Sequence, residues 1–377
     1  MLSSPEGRCL LHLLKNNNFS ADNFKNIDQK KFLELLKQHR LSIWFFENFI
    51  KNSPTNFAHD DFIRQALEEI FKQNTLRSLF KSAELIQIYT HFTQHNIPLL
   101  FLKGELLSLQ IYQALNARIS GDIDILINFT DLILADKILK NLGYQRAGTP
   151  NTLLKNFKSF LHWLQKDMIY THPQKKIMVE VHWRFVEDPR FMNIPFEKLW
   201  ERKTLVTLNN NNLPTLGAED NLLYLCLHGA KHGYLRLQWL IDIQNYFEYF
   251  KRLKSSQNLN SQDSSRYLFN QAANYQIQPH YALTEYLIGK YLSSTEENKN
   301  KNKNKNKKIE KIDSNFERLF ITTEKLWHMP ESKKRRLYLA FIFKPLLYKN
   351  IFYFLPALLR IFTEKIFGIL KSLFTFI

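Results

Sequence analysis

Residues 118–127 read Arg-Ile-Ser-Gly-Asp-Ile-Asp-Ile-Leu-Ile and alternate polar and apolar side chains along most of their length. This period of two predicts a β-strand with one buried face and one polar face. The apolar face consists of isoleucines and the polar face carries two carboxylates, so the strand is expected to anchor acidic groups at a cleft. The polar face is formed by Arg118, Ser120, Asp122 and Asp124.

Asp122 and Asp124 are two residues apart, which on a strand places both carboxylates on one side, about 7 Å apart along the chain. Unpaired carboxylates on a largely buried strand are costly unless cations or donors neutralise them. Such a pair can share divalent cations. A purely structural origin, in which the pair forms salt bridges with Arg118 or a lysine, is the alternative.

Two further segments carry polar residues beside apolar runs. Residues 97–102 predict a buried strand that ends at Lys103-Gly104 before a helix over 105–115, and glycine there would let backbone N–H groups approach a phosphate. A turn of this kind is also common as a simple connection between a strand and a helix, without a binding role. In residues 179–184, Glu180, His182 and Arg184 share one face of a second strand, so Glu180 would complete a three-carboxylate cluster if the two strands are neighbours.

The pattern along the chain predicts an α+β protein with an α/β-type core between helical regions. A hairpin is expected from residues 167–171 and 177–185 around the turn 173–176. The predicted domains are a helical region 1–95, an α/β core 96–210, a helical region 211–297 completing the cleft, an Asn/Lys linker 298–311 and an apolar, basic helical region 312–377.

The formal charge is +17, of which residues 299–311 contribute +6. The remaining excess favours anionic partners such as nucleotides, nucleic acid or a membrane face. Specific nucleic-acid binding is not expected, because no signature of interleaved aromatic and basic residues occurs. Only Cys9 and Cys226 are present, and the first residues lack a secretory signal pattern, which predicts a cytoplasmic protein without disulfides.

The last forty residues are very apolar, but charged residues interrupt them before any run is long enough to span a bilayer. Residues 351–377 can form a helix with a narrow polar stripe. Two interpretations stay open: a helix packed into the core, or peripheral contact with the inner face of a membrane.

Four segments together resemble a known family: FLKGELL (101–107), RISGDIDILI (118–127), VEVHWRF (179–185) and LLYLCLHGAKHGYLRLQWLIDI (222–243). Their order is similar to that of the uncharacterised nucleotidyltransferases in the polymerase-β-type nucleotidyltransferase superfamily. The resemblance implies a polymerase-β-like mixed sheet and Mg²⁺-dependent transfer of an NMP group from an NTP to a hydroxyl-bearing acceptor, with release of pyrophosphate. It does not identify the acceptor.

The resemblance also implies roles for individual residues. Asp122, Asp124 and Glu180 would be catalytic and would hold two Mg²⁺ ions, which Mn²⁺ can replace. Nucleotide binding would fall to Lys103, Gly104, Arg118, Ser120 and Gly121. Substrate or nucleotide contacts would come from His182, Arg184, His228, Lys231, His232, Arg236 and Asp242.

One position departs from the superfamily pattern. Gly104 is followed by Glu105 instead of serine and lies 18 residues before Asp122. Because Glu105 has the wrong charge for phosphate, Ser120 or Arg118 is expected to take part of the role of that turn.

His228 and His232 are four residues apart on a predicted helix, a spacing that can grip zinc. No third ligand is near them in sequence, so packing histidines or substrate contacts are the competing interpretations. For the whole chain, the alternative to an enzyme is a non-catalytic, degenerate nucleotidyltransferase fold that binds a partner or membrane through its basic C-terminal region.

Overall fold

The computed structural model describes residues 2, 4–16, 27–51, 61–147, 165–255, 261–293, 314–329 and 332–348. Its centre is a seven-stranded mixed sheet in the order β3-β4-β5-β2-β1-β7-β6. The strands are β1 (Leu99–Phe101), β2 (Ile123–Ile127), β3 (Gln145–Ala147), β4 (Asp167–Thr171), β5 (Met178–His182), β6 (Thr204–Leu208) and β7 (Asn211–Thr215).

Helices precede, flank and follow this sheet. Before and within it are α1 (Pro5–Asn16), α2 (Gln29–Gln38), α3 (Ser42–Phe45), α4 (Asp61–Gln94), α5 (Gly104–Tyr112), α6 (Leu132–Asn141) and α7 (Phe196–Glu201). After it are α8 (Ala218–Lys231), α9 (Gln238–Ser255), α10 (Ser261–Asn274), α11 (Gln278–Tyr291), α12 (Ser314–His328), α13 (Lys333–Tyr338) and α14 (Lys344–Leu347). The predicted α+β fold with flanking helical regions is confirmed.

Strand β2 is covered on both faces. Ile123, Ile125 and Ile127 are buried in a core formed with α4 and α6, while Leu126 on the opposite face belongs to a second core. That second core includes residues from α1 and α2 as well as from the helices after the sheet. The helices at both ends of the chain therefore pack on the face of the sheet that carries Asp124.

The predicted strand over 118–127 is wrong in its first half, because β2 begins only at Ile123. The backbone of Ile119 bonds to a side chain instead of a neighbouring strand: its N–H donates to Gln238 Oε1 at 3.1 Å, and its carbonyl accepts from Gln238 Nε2 at 3.0 Å. Residues 118–122 thus form a loop before the start of β2, and Gln238, the first residue of α9, holds this loop in place.

The hairpin predicted from 167–171 and 177–185 is confirmed as the antiparallel pair β4 and β5. The sheet also contains β6 and β7, so it extends through Thr215. None of the described helices is long and apolar enough to cross a membrane. The linker 298–311 and the tail 351–377 lie outside the described residues, and the domain boundaries stay predictions.

Candidate active site

The acidic cluster forms where β2 and β5 run side by side. These strands are parallel, and their register places Asp124 directly opposite Glu180. One ligand atom from each of Asp124, Glu180 and His182 lies within 4.8 Å of the others. Two carboxylates predicted from separate segments therefore meet on one face of the sheet, on two of its central strands, together with a histidine.

Asp124 is the most enclosed member of the cluster, with a side chain 2% exposed. Its oxygens contact Lys103 Nζ at 3.0 Å and His182 Nε2 at 3.0 Å. Burial alone would raise the pKa of the Asp124 carboxyl, but Lys103 and His182 outweigh burial and hold this pKa well below its usual range. Asp124 is consequently ionised and fixed in orientation.

Asp122 precedes β2 and is only half-buried. Its carboxylate accepts no hydrogen bond and forms no ion pair within the described part of the chain. Burial, and after it the Asp124 charge, raise the pKa of Asp122, and Glu180 adds to this effect. Asp122 lies outside the group of ligand atoms within 4.8 Å of one another, but a half-buried carboxylate that lacks a protein donor beside other negative charges is one that a bound cation would stabilise.

Glu180 is half-buried, and its Oε2 lies 3.4 Å from His182 Nε2. This contact lowers the pKa of Glu180 more than burial raises it. On the other side of the ring, His182 Nδ1 lies 3.6 Å from Asp167 Oδ2, and Asp167 is paired with Lys166. His182 thus lies among three carboxylates and is held to Asp124 by a hydrogen bond at 3.0 Å, and the substrate contact expected of it stays a prediction.

These residues fit a hard divalent cation. Asp122, Asp124 and Glu180 offer carboxylate oxygens, the donors that Mg²⁺ and Mn²⁺ prefer. Asp122 is the member left without a protein partner, which is the state expected of a ligand whose partner is an ion. The set of side chains is compatible with binding of a divalent metal ion.

The turn after β1 is built on Gly104, whose φ is +71°. A Cβ added there would meet Ser120 Oγ at 3.5 Å, so the turn and the 118–122 loop pack closely. Glu105, the departure noted in the sequence, points inward: it is 2% exposed and lies 3.6 Å from Lys81 Nζ. Burial raises the pKa of the Glu105 carboxyl more than Lys81 lowers it, and this side chain lies in the interior instead of being exposed toward a phosphate.

Arg118 was predicted to contact nucleotide, but its guanidinium is buried. Nε donates to Asp242 Oδ2 at 3.1 Å and Nη1 donates to the Gly104 carbonyl at 3.3 Å. Asp242 also accepts from the Tyr112 hydroxyl at 2.8 Å. The pair formed by Arg118 and Asp242 therefore links α9 and α5 to the acidic loop, residues 118–122.

The end of α8 carries the two histidines that were predicted as a pair. His228 and His232 lie against one another, with ring centroids 4.9 Å apart, and both contact the Trp239 ring. Burial lowers the pKa of both rings well below the usual value, so they are neutral. Within the described ranges the group of three metal-ligating side chains is the one at Asp124, so no third ligand accompanies this histidine pair.

The remaining predicted contacts have defined partners. Lys231 Nζ lies 3.2 Å from Glu187 Oε1, and Arg184 Nη2 donates to the Gln165 carbonyl at 2.5 Å. Arg236 lies over the Trp239 ring at 5.3 Å. Gly121 is exposed in the acidic loop.

Several residues of the site escaped sequence reasoning. Lys81 donates to the Ser120 carbonyl at 2.7 Å and to its Oγ at 3.0 Å, and Arg40 lies against Gly121. Both come from the N-terminal helices, where no local pattern marks them. Asp167 had a readable signal, since a register of the predicted hairpin pairs it with His182.

A family of related proteins matches most of the chain. Residues 25–293 match the family described as uncharacterised nucleotidyltransferase. The chain belongs to this family. No match was found among curated proteins or among solved structures. The match covers the N-terminal helices that supply Arg40 and Lys81 as well as the sheet, and it confirms the resemblance seen in the four sequence segments.

Proposed function

We propose that this protein transfers an NMP group from an NTP to a hydroxyl-bearing acceptor, with Mg²⁺ or Mn²⁺ held by Asp122, Asp124 and Glu180. The observation that carries the proposal is the pairing of β2 with β5, which brings carboxylates from distant segments together beside a partnerless Asp122. When bound, two such cations neutralise triphosphate charge and lower the pKa of the acceptor hydroxyl.

The reaction requires one bond to form and one to break. The acceptor oxygen bonds to the α-phosphorus, and the bond from that phosphorus to the oxygen bridging the β-phosphorus breaks, so pyrophosphate leaves. Glu180 is ionised and half-buried, which suits it to ligate a cation or accept the hydroxyl proton. Lys103 and His182 keep Asp124 ionised and correctly oriented throughout.

The test is nucleotide binding by calorimetry, which needs no knowledge of the acceptor. ATP, GTP, CTP and UTP are titrated with Mg²⁺ or with EDTA into wild type, Asp122→Asn and Asp122→Asn/Asp124→Asn. We expect Mg²⁺-dependent binding in wild type and a loss of about 10–100-fold or more in both variants. The matched control replaces two exposed acids of α4, Glu68→Gln/Glu69→Gln.

The single variant separates a functional loss from unfolding. Because the pKa of Asp122 is raised, its ionised form is unfavourable in the folded protein, and Asp122→Asn should keep or raise the melting temperature. Equal nucleotide binding by wild type and Asp122→Asn, or binding that ignores EDTA, would reject the metal-dependent mechanism.

A further inference from the structure

His182 lies on β5 between the two strands that flank it. In the parallel pairing with β2 it is opposite Leu126, two residues beyond Asp124 on the same face. In the antiparallel pairing with β4 it is directly opposite Asp167. His182 is 4% exposed. The sheet therefore encloses one imidazole between a carboxylate of the acidic cluster and a carboxylate outside that cluster.

One nitrogen of the ring faces two carboxylate oxygens of the cluster. Nε2 lies 3.0 Å from Asp124 Oδ1 and 3.4 Å from Glu180 Oε2. Lys103 Nζ contacts the other Asp124 oxygen, Oδ2, at 3.0 Å, so Oδ1 is the oxygen on the side of the histidine. Neighbouring ligands of an octahedral ion at about 2.1 Å are about 3.0 Å apart. The separations of Nε2 from the two oxygens are thus close to those of ligands on one ion.

The other ring nitrogen faces the carboxylate outside the cluster. Nδ1 is buried, has no hydrogen-bond partner within the described ranges and lies 3.6 Å from Asp167 Oδ2. Asp167 is itself paired with Lys166. Histidines that ligate a metal almost always direct their second ring nitrogen at a carboxylate, a carbonyl or water, which keeps the ring proton away from the ion. His182 has this arrangement, with Asp167 in place to accept the Nδ1 proton.

The donor set determines which ions the site prefers. Mg²⁺ is bound almost entirely by oxygen ligands, whereas imidazole nitrogen favours first-row transition ions, with affinity rising from Mn²⁺ to Co²⁺. Carboxylates alone would serve Mg²⁺ and Mn²⁺ alike. One imidazole added to two carboxylates shifts the preference toward the transition ions.

We propose that His182, through Nε2, is a ligand of the cation that Asp124 and Glu180 bind, and that this nitrogen selects Mn²⁺ or Co²⁺ over Mg²⁺. This inference rests on the proposed nucleotidyltransferase function, whose cation site it completes. The ion takes the place of the hydrogen bond between Nε2 and Asp124 Oδ1, so the same two side chains stay joined through it. The ring proton is then on Nδ1, and Asp167 is a positioning residue that acts through His182.

Pulsed electron paramagnetic resonance of Mn²⁺ bound to the full-length protein tests the ligand directly. We expect a coupling between Mn²⁺ and a nitrogen nucleus in wild type, lost in His182→Gln and kept in the control His95→Gln, which replaces an exposed histidine. Mn²⁺ bound by wild type without a nitrogen coupling would overturn the proposal, even if His182→Gln does not fold. A coupling that persists in His182→Gln would also overturn it, because another nitrogen would then be the ligand.

Calorimetric titration with Mg²⁺, Mn²⁺ and Co²⁺ distinguishes a ligand from a group that only donates a hydrogen bond to Asp124. Loss of the outer partner of a ligating histidine costs about 10–100-fold in metal affinity, and loss of the ligand should cost at least as much. His182→Gln should therefore weaken Mn²⁺ and Co²⁺ binding by about tenfold or more. Mg²⁺ binding should fall much less, because glutamine can still donate to Asp124. Equal losses for Mg²⁺ and Mn²⁺ would overturn the ligand role.

Asp167→Asn tests the positioning role in the same titrations. It should keep the nitrogen coupling but lower the ratio of Mn²⁺ to Mg²⁺ affinity, a change that a purely structural role would not produce. An unchanged ratio would overturn the part of the proposal that concerns Asp167.

The outcomes also separate this proposal from the one it rests on. Metal-dependent NTP binding in wild type that is equally tight with Mg²⁺ and Mn²⁺, without a nitrogen coupling, would overturn the His182 ligand and leave the nucleotidyltransferase proposal standing. Failure of wild type to bind any of the three ions, alone or with an NTP, would reject both proposals.

Discussion

At the scale of single residues, the site depends on charges that are buried in pairs. The Arg118 and Asp242 side chains are 6% and 2% exposed and lie 3.1 Å apart, and Tyr112 supplies a second hydrogen bond to Asp242. Burial would lower the pKa of Arg118, but Asp242 outweighs it and the net pKa is raised. Each charge therefore depends on the other for its compensation.

Asp242→Asn should lower the free energy of unfolding by about 3–5 kcal/mol, because it leaves the Arg118 guanidinium buried without its counter-charge. Arg118→Met/Asp242→Asn should lose less than the two single losses combined, since no unpaired charge remains. Urea unfolding of the four proteins measures this coupling. The exposed pair Lys251 and Glu248 is the control: Glu248→Gln should change stability by less than about 0.5 kcal/mol. Additive losses would contradict a coupled pair.

Sequence reasoning reached the carboxylates but not the residues that hold them. Asp122, Asp124 and Glu180 were recognisable because strand alternation places acids opposite isoleucine and valine. Extending that alternation to residue 118 placed Arg118 on the same strand face, but β2 begins only at Ile123 and Gln238 bonds to the backbone of Ile119 instead. Arg40 and Lys81 could not be found from local patterns, because only tertiary packing brings α2 and α4 to the acidic loop.

At the scale of elements, the end of α2 is locked to the turn before α9. His39 is 1% exposed, and its Nδ1 accepts from the Leu237 N–H at 3.4 Å. Burial, and after it the Arg335 charge, lower the pKa of His39 to about 4. The interface that positions Arg40 therefore requires a neutral imidazole.

Acidification should weaken this interface. An unfolded histidine binds a proton near pH 6.5, whereas folded His39 resists protonation until about pH 4, so its contribution to stability is complete above pH 6.5 and lost as the pH falls toward 4. His39→Asn keeps an acceptor and does not titrate. Between pH 7 and pH 4.5, wild type should lose about 2–3 kcal/mol more than His39→Asn in urea unfolding. The exposed control His95→Asn should follow wild type, and parallel losses in wild type and His39→Asn would contradict a buried neutral ring.

The elements themselves were only partly readable. The β4–β5 hairpin was predictable from two alternating runs around Pro173. The β6–β7 hairpin also had a sequence signal, the asparagines at its turn. Asn209 and Asn210 both have positive φ, at 48° and 61°, as the tightest hairpin turns require. The order of the strands could not be read, since nothing local specifies that β2 lies between β5 and β1.

At the scale of the whole molecule, helices beyond the family match pack against the turn that follows α8. Trp327 Nε1 of α12 donates to the Gly233 carbonyl at 2.9 Å, in the turn that follows His232. A Cβ on Gly233 would lie 2.5 Å from a methyl carbon of Leu326, and Gly233 also has φ +60°. The segment after residue 311 is thus packed into the same core as the nucleotidyltransferase region.

The stretch of chain that connects α11 to α12 can be shortened. Tyr286 stacks on Phe320 at 4.0 Å and the Tyr291 hydroxyl bonds to Glu324 at 2.8 Å, so α11 and α12 run parallel. Because the two helices are parallel, the end of α11 and the start of α12 are separated by roughly the length of α11, about 21 Å. Removing residues 299–308 leaves ten residues between Ser293 and Ser314, which reach about 33 Å when extended.

Two deletions should therefore have opposite results. Without residues 299–308, the melting temperature and Mg²⁺-dependent nucleotide binding should match those of the full chain, because the shortened connection still spans the distance from the end of α11 to the start of α12.

Without residues 312–377, the core loses Leu319, Trp327, Phe343 and Leu347, each buried and worth about 1.5–3 kcal/mol. That sum is comparable with the whole stability of a typical domain, so the truncated chain should lose its cooperative thermal transition. A truncated chain that melts like the full protein would show that the C-terminal helices are dispensable for the core, and a large loss in the short deletion would show that residues 299–308 do more than connect.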